Sequence, residues 1–107
     1  MNIEELIILI KPRPCMFIGE LNLEFLQQYI NGFLFNSVVT KTADEVDQKF
    51  KEDFHEWVRC RLEKEIGKEF PVARNYVYYI NSVTQDDKKK VDLFFELVQE
   101  FFEECHE

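Results

Sequence analysis

Residues 42–67, TADEVDQKFKEDFHEWVRCRLEKEIG, carry the strongest helical pattern of the chain. Apolar side chains recur at steps of three and four residues, and most positions between them are charged, so one face is buried and the other solvated. The Thr42-x-x-Glu45 pattern is typical of a capping box, and Gly67 suits the position that ends a helix. The pattern predicts one continuous helix over about residues 43–66. Its predicted core stripe is Val46, Phe50, Phe54, Trp57, Val58, Leu62 and Ile66.

Four shorter segments surround this helix. Residues 3–11 form a first helix that Pro12 and Pro14 end, because proline has no N–H and restricts the residue before it. A second helix begins after Asn22, which can cap it, and a last helix begins near Ser82 or Thr84. Residues 73–83 suit a strand as well as a helix, and the sequence leaves this choice open. The predicted core residues of the second helix are Phe25, Leu26, Tyr29, Ile30, Phe33 and Leu34.

These segments predict the fold class. Three Gly and three Pro among 107 residues leave little material for hairpin turns. We expect an all-α single domain over residues 1–107, with five helices and a packed loop after the first helix.

Charge limits the classes of partner. The net charge is −8, and residues 75–107 hold three basic and eight acidic groups, so most of the excess lies near the C-terminus. An acidic surface repels phosphate backbones and anionic membranes and speeds association with a basic protein. We therefore expect a protein partner, no nucleic acid and no membrane.

The cysteines and the N-terminus predict the compartment. Cys15, Cys60 and Cys105 are odd in number and far apart, which favours free thiols in a reducing cytoplasm. The apolar run at residues 6–10 is too short to span a bilayer, and no basic region precedes it. We expect a cytoplasmic protein without a signal peptide.

No catalytic pattern stands out. The two histidines, His55 and His106, do not combine with other residues into the four ligands of a structural zinc site. No histidine is close in sequence to Cys15 to act as its base, and three glycines are too few for a phosphate-binding loop. We predict no enzyme activity, no metal and no cofactor.

In the segment Arg13-Pro14-Cys15-Met16-Phe17-Ile18-Gly19, the particular residues, and not only their hydrophobic pattern, indicate a defined local structure. Pro14 fixes its own φ and favours an extended Arg13, and Gly19 can supply a positive φ before the next helix. We predict that Met16, Phe17 or both are largely buried, and that Arg13 donates to a carbonyl or carboxylate. The residues assigned to this structural motif are Arg13, Pro14, Met16, Phe17 and Gly19.

This segment resembles the R-P-G-M-Y-I-G signature of DNA gyrase B and related topoisomerase ATPase domains. Cys15 stands where that family has glycine, and the Glu-x-x-Asp-Asn nucleotide helix and the glycine-rich loops of the family are missing here. The resemblance implies a similar loop without ATPase activity.

A second resemblance covers most of the chain. Small acidic bacterial immunity proteins, which are encoded beside polymorphic or contact-dependent toxins, share the R-P-x-M-F/Y-x-G loop. In that family the loop precedes a helix like residues 26–33, LQQYINGF, then a helix like residues 50–58 and a closing segment like residues 94–102, FFELVQEFF. The resemblance implies a non-catalytic protein that binds and neutralises a toxin domain.

An acidic inhibitor of this type would suit a basic toxin. The acids that spacing places on the solvent side of the third and last helices are the predicted binding residues. They are Asp44, Asp47, Glu52, Asp53, Glu56, Asp92, Glu96, Glu100 and Glu103. The alternative is a helical adaptor or homodimeric interaction protein, and the sequence leaves the binding face and the oligomeric state open.

Overall fold

The computed structural model describes residues 1–107, which form six α-helices and no strand. The helices are α1 (Ile3–Ile10), α2 (Cys15–Ile18), α3 (Leu23–Val39), α4 (Glu45–Ile66), α5 (Tyr76–Asn81) and α6 (Asp87–Cys105). The all-α prediction is confirmed, whereas the predicted count of five is one too low. The additional helix, α2, is a single turn inside the predicted loop. Within residues 73–83 the chain forms helix α5, so the strand alternative is excluded.

Helix α4 is continuous, as predicted, but it begins at Glu45 with Asp44 as its N-cap. Gly67 ends it in the left-handed conformation, with a φ of 73°, as expected. Four members of the predicted stripe are buried: Phe50, Phe54, Val58 and Leu62. Trp57 and Val46 are only partly buried and Ile66 is exposed, so the stripe is narrower than predicted.

The N-termini of α1 and α4 are joined by hydrogen bonds. Asn2 caps α1, accepting from the Glu5 N–H at 3.0 Å, and its side chain donates to Asp44 Oδ2 at 3.1 Å. Asp47 accepts at one oxygen from the Ile3 N–H at 2.6 Å and at the other from the Asp44 N–H at 3.1 Å. A carboxylate that accepts from two helix starts satisfies donors that would otherwise be orphaned. These bonds hold α1 against α4.

Aromatic rings fill the space between α4, α5 and α6. Phe50 and Phe54 stack at 4.7 Å between ring centroids, and Tyr76 lies 5.3 Å from Phe54 and 5.2 Å from Phe94. Such contacts add to the hydrophobic energy of burying the rings. Tyr76 therefore makes α5, although only six residues long, a fully integrated part of the core.

The arrangement of helices leaves one side of α6 uncovered. Helices α3 and α4 both pack against α1, α5 and α6, and the short α2 packs against α3. A groove lies between α6 and the N-terminal segment formed by α1 and α2. None of the helices combines the length and apolar character needed to cross a membrane.

Candidate functional site

The motif segment is more exposed than predicted. Met16 is 72% exposed and Phe17 is only partly buried, with its ring at the edge of Tyr29 at 6.0 Å. The Arg13 backbone N–H donates to the Ile10 carbonyl at 3.0 Å, but its side chain makes no hydrogen bond or ion pair. The predicted donation from Arg13 to a carbonyl is made by its backbone N–H and not by its side chain. Neither Met16 nor Phe17 is largely buried, so the predicted burial is wrong. The physical reason is that residues 15–18 form a helical turn of their own, which directs only part of its apolar surface at α3.

Two motif predictions hold. Gly19 has a φ of 83° and ends α2, with its N–H donating to the Cys15 carbonyl at 2.9 Å. Pro14 has an α-helical φ of −61° and precedes the first turn of α2, where the absent N–H of proline costs nothing. These residues turn the chain so that Arg13 and Met16 face the groove beside α6.

The α1–α6 groove consists of two adjoining depressions, of about 620 Å³ and 260 Å³. They share Lys11, Phe95 and Gln99, and the Lys11 ammonium donates to Gln99 Oε1 at 3.0 Å. The larger depression is lined by Lys11, Arg13, Pro14, Cys15, Met16, Leu21, Lys88, Val91, Asp92, Phe95, Glu96 and Gln99. The smaller is lined by Glu4, Ile7, Ile8, Lys11, Phe95, Val98, Gln99, Phe102, Glu103 and His106.

Both walls of this groove carry charged residues, mostly acidic on α6, where Lys88 is the exception, and mostly basic on the opposite wall, where Glu4 is the exception. Asp92, Glu96 and Glu103 follow one ridge of α6 at helical spacing, whereas Lys11 and Arg13 belong to the opposite wall. Some of these charges are partnered: Asp92 pairs with Lys88 at 2.9 Å and Glu103 accepts from Gln99 at 3.2 Å. Glu96 and Arg13 have no partner within the chain, so both are free to bind another molecule.

The structure thus brings together two sets that the sequence analysis treated separately. Three of the α6 acids and three residues of the motif, Arg13, Pro14 and Met16, line one groove. Sequence reasoning missed Lys11, Gln99 and the apolar floor residue Phe95 as members of this site. Asp92, Glu96, Gln99 and Glu103 are spaced by four, three and four residues, which places them along one exposed ridge of a helix. This spacing could have identified Gln99 as a member of the site.

The predicted acids of α4 are not part of this groove. Asp47 is 2% exposed and holds the α1 and α4 starts together, so its predicted place on the solvent side, as a partner-binding residue, is wrong. Spacing alone indicated a solvated carboxylate, but α1 covers that position. Asp44 caps α4, and its carboxylate is engaged by bonds within the chain. Glu52 accepts a hydrogen bond from Gln48, and Asp53 lies in a separate hollow beside Trp57.

Glu56 and Glu100 are also engaged by arginines. Arg59 donates to Glu56, and this hydrogen bond lowers the pKa of the Glu56 carboxyl. Glu100 is partly buried and pairs with Arg61 at 3.4 Å, which links α6 to α4. Both acids have local partners, which makes them weaker candidates for binding than Glu96.

The cysteines and histidines show no grouping that binds metal. No cluster of three or more His, Cys, Asp or Glu is placed to hold an ion, and all three cysteines are free thiols. His55 is partly buried, stacks on Tyr76 and accepts from its backbone N–H at Nδ1, at 3.0 Å. Burial lowers the pKa of His55, which favours the neutral ring that this hydrogen bond needs. Its role is to hold α5 on α4.

Comparisons with protein-family models, curated proteins and solved structures found no match for this chain. A functional assignment therefore depends on the groove and on the chemistry of the surface. A concave apolar floor flanked by unpaired charges of both signs is suited to recognising a protein segment.

Proposed function

We propose that this chain is a cytoplasmic, non-catalytic bacterial immunity protein that binds and neutralises a basic toxin domain through the α1–α6 groove. The observation that carries the proposal is the convergence of the α6 acidic ridge and the R-P-x-M motif residues on that groove. The same motif is one of the segments in which the chain resembles small acidic bacterial immunity proteins.

The electrostatics of α6 support a basic partner. Beyond Lys90 the helix has five acids and no basic residue, within a chain of net charge −8. Charges of this kind accelerate the encounter with a partner of opposite sign and orient it before contact. Glu96, which has no partner in the chain, is the acid best placed to meet a cation of the toxin.

Apolar contacts would supply the stability of the complex. Phe95, Val98 and Phe102 form the buried floor of the groove, so the apolar area that a partner can cover belongs mainly to the exposed side chains of Ile8 and Met16 at its edge. Interfaces obtain most of their binding energy from a few such desolvated contacts, while rim charges mainly affect the association rate. The alternative, a helical adaptor or homodimer, is favoured by a different surface, the outward side of α3.

The test compares two triple variants with equal loss of charge. The groove variant carries Asp92→Asn, Glu96→Gln and Glu103→Gln. The matched control carries Glu52→Gln, Asp53→Asn and Glu69→Gln, three exposed acids outside the groove. Both are assayed for protection of cells that express the toxin encoded beside this protein, and for association rate with that toxin.

We expect the groove variant to associate at least about tenfold more slowly at low salt and the control within about twofold of wild type. The wild-type rate should fall as salt is raised, because screening limits steering to about 8 Å at physiological ionic strength. Equal protection and equal rates for both variants, with binding that does not respond to salt, would exclude the acidic ridge from the mechanism. Failure to bind the neighbouring toxin at all would refute the proposed function itself.

A further inference from the structure

Helix α3 differs from every other long helix of the chain in its lack of charge. Charged residues make up 32% of the sequence, yet Glu24 is the only one among the 17 residues of α3. Leu23, Leu26 and Ile30 are buried and fix which side of the helix faces the core. A surface helix normally presents charged residues on its other side, and α3 does not.

The outward face of α3 instead combines exposed apolar and aromatic side chains with the amides Gln28 and Asn36. Phe35 is 72% exposed, Val39 61%, Phe25 42% and Tyr29 38%. Gly32 lies near the middle of this face, and a Cβ atom built there would meet no atom within 4 Å. No residue of α3 lines the α1–α6 groove, so the two surfaces are separate.

We infer that this face pairs two copies of the chain in an antiparallel α3–α3 contact that crosses at Gly32. Charge favours a second copy over a basic partner, because the one carboxylate of α3, Glu24, lies at its first turn and is bonded to Asn81, which leaves the middle of the face with nothing to attract a cation. Two molecules that each carry a net charge of −8 can also approach at this face, because no two charges of the same sign are brought together at the contact.

The positions of the side chains match a two-fold axis at Gly32. Phe25 and Val39 are each seven residues from Gly32, about 10 Å along the helix, and Tyr29 and Phe35 are each three residues from it, about 4.5 Å. In an antiparallel pair, Phe25 of one copy therefore lies level with Val39 of the second, and Tyr29 with Phe35. A two-fold contact needs this self-complementarity, and the absent side chain of Gly32 lets the backbones approach closely.

The area is sufficient for a weak dimer. Taking about 200 Å² for a whole aromatic side chain, the exposed fractions of the four apolar residues sum to about 400 Å² per copy. Two copies together with the flanking amides Gln28 and Asn36 would bury about 1,000 Å², at the lower limit of specific interfaces. The expected dimer dissociates in the micromolar range.

Sedimentation velocity of the full chain over a range from about 1 to 500 μM tests the dimer. Wild type should shift from monomer to dimer, and Phe35→Glu should raise the dissociation constant at least about tenfold. The matched control is Val72→Glu, which places the same charge on an exposed apolar residue outside both α3 and the groove and should dimerise like wild type. A wild type that stays monomeric throughout, or a Phe35→Glu variant that dimerises like the control, would overturn the inference.

A complementation experiment tests the register. Phe25→Glu and Val39→Lys should each weaken self-association, whereas an equimolar mixture should form heterodimers, because the introduced carboxylate of one copy then lies level with the introduced ammonium of the other. In a background with Cys15, Cys60 and Cys105 replaced by serine, Gly32→Cys should form an intermolecular disulfide on mild oxidation, and Glu52→Cys should not. Heterodimers that fail to form, together with equal cross-linking at both sites, would refute the antiparallel contact at Gly32.

Discussion

Two buried tyrosines on α5 offer a matched test of how hydrogen bonding sets the stability of this core. Tyr76 and Tyr79 are 1% and 0% exposed and lie three residues apart on the same short helix. The Tyr79 hydroxyl donates to the Pro71 carbonyl at 2.7 Å and accepts from the Arg74 N–H at 3.1 Å. The Tyr76 hydroxyl is buried without a partner in the protein, and burial raises its pKa. Replacing each tyrosine by phenylalanine should therefore change the free energy of unfolding in opposite directions.

The magnitudes follow from the partners that each substitution leaves behind. Tyr79→Phe removes both bonds, but Pro71 and Arg74 lie at the surface, where water replaces part of the loss, so we expect about 1–2 kcal/mol of destabilisation. Tyr76→Phe removes a buried polar group that has no bond to lose, and should stabilise the fold by about 0.5–1.5 kcal/mol. For a domain of this length, about 1 kcal/mol corresponds to about 4 °C in Tm.

Urea and thermal unfolding followed by circular dichroism measure both changes, and the ordering of Tm from highest to lowest should be Tyr76→Phe, wild type, Tyr79→Phe. Unchanged m values would show that the variants unfold from comparable states. If Tyr76→Phe proved destabilising by more than about 1 kcal/mol, the hydroxyl would have a bonding partner and the reasoning would be refuted.

Two further predictions concern single residues. Asp47→Ala should destabilise the domain by about 2–3 kcal/mol in urea unfolding, because it leaves the buried Ile3 N–H without an acceptor. The control Glu52→Ala should stay within about 0.5 kcal/mol of wild type. Equal effects of the two substitutions would contradict the capping role of Asp47. His55 must be neutral to accept from Tyr76, and burial lowers its folded pKa below 6.5, so the unfolded chain binds the proton more readily. Its stabilising contribution is therefore complete above about pH 6.5 and is lost as the pH falls towards the folded pKa, and His55→Gln should show a smaller loss of Tm than wild type between about pH 7.5 and 5.5. Identical pH profiles would show that His55 does not need to be neutral.

Local features of the sequence determined most of the helical structure. The periodicity of residues 42–67 predicts α4 as one helix, and Asn22 and Gly67 are predicted correctly as the residues that start α3 and end α4. Caps and amphipathic periodicity depend on contacts within about one turn of the chain, so they can be read without knowledge of the fold.

Tertiary packing decided which side of each helix is covered. In α3 apolar residues occur on all sides, so their spacing does not indicate which side is buried. The spacing predicts Phe25 and Tyr29 as core residues, but in the structure Leu23, Leu26 and Ile30 face the core and Phe25 and Tyr29 are exposed. A helix with a single charged residue lacks the charged side that would indicate which face is buried.

The candidate site also depends on packing between distant segments. Asp47 looks solvated by its spacing in α4, but α1, more than forty residues earlier in the chain, covers it. The same holds for the groove, where Arg13 and Glu96 line one depression only because the segment that follows α1 folds beside α6. Sequence spacing fixes neighbours along one helix, whereas contacts between helices depend on the packing of whole faces, and that information resides only in the folded structure.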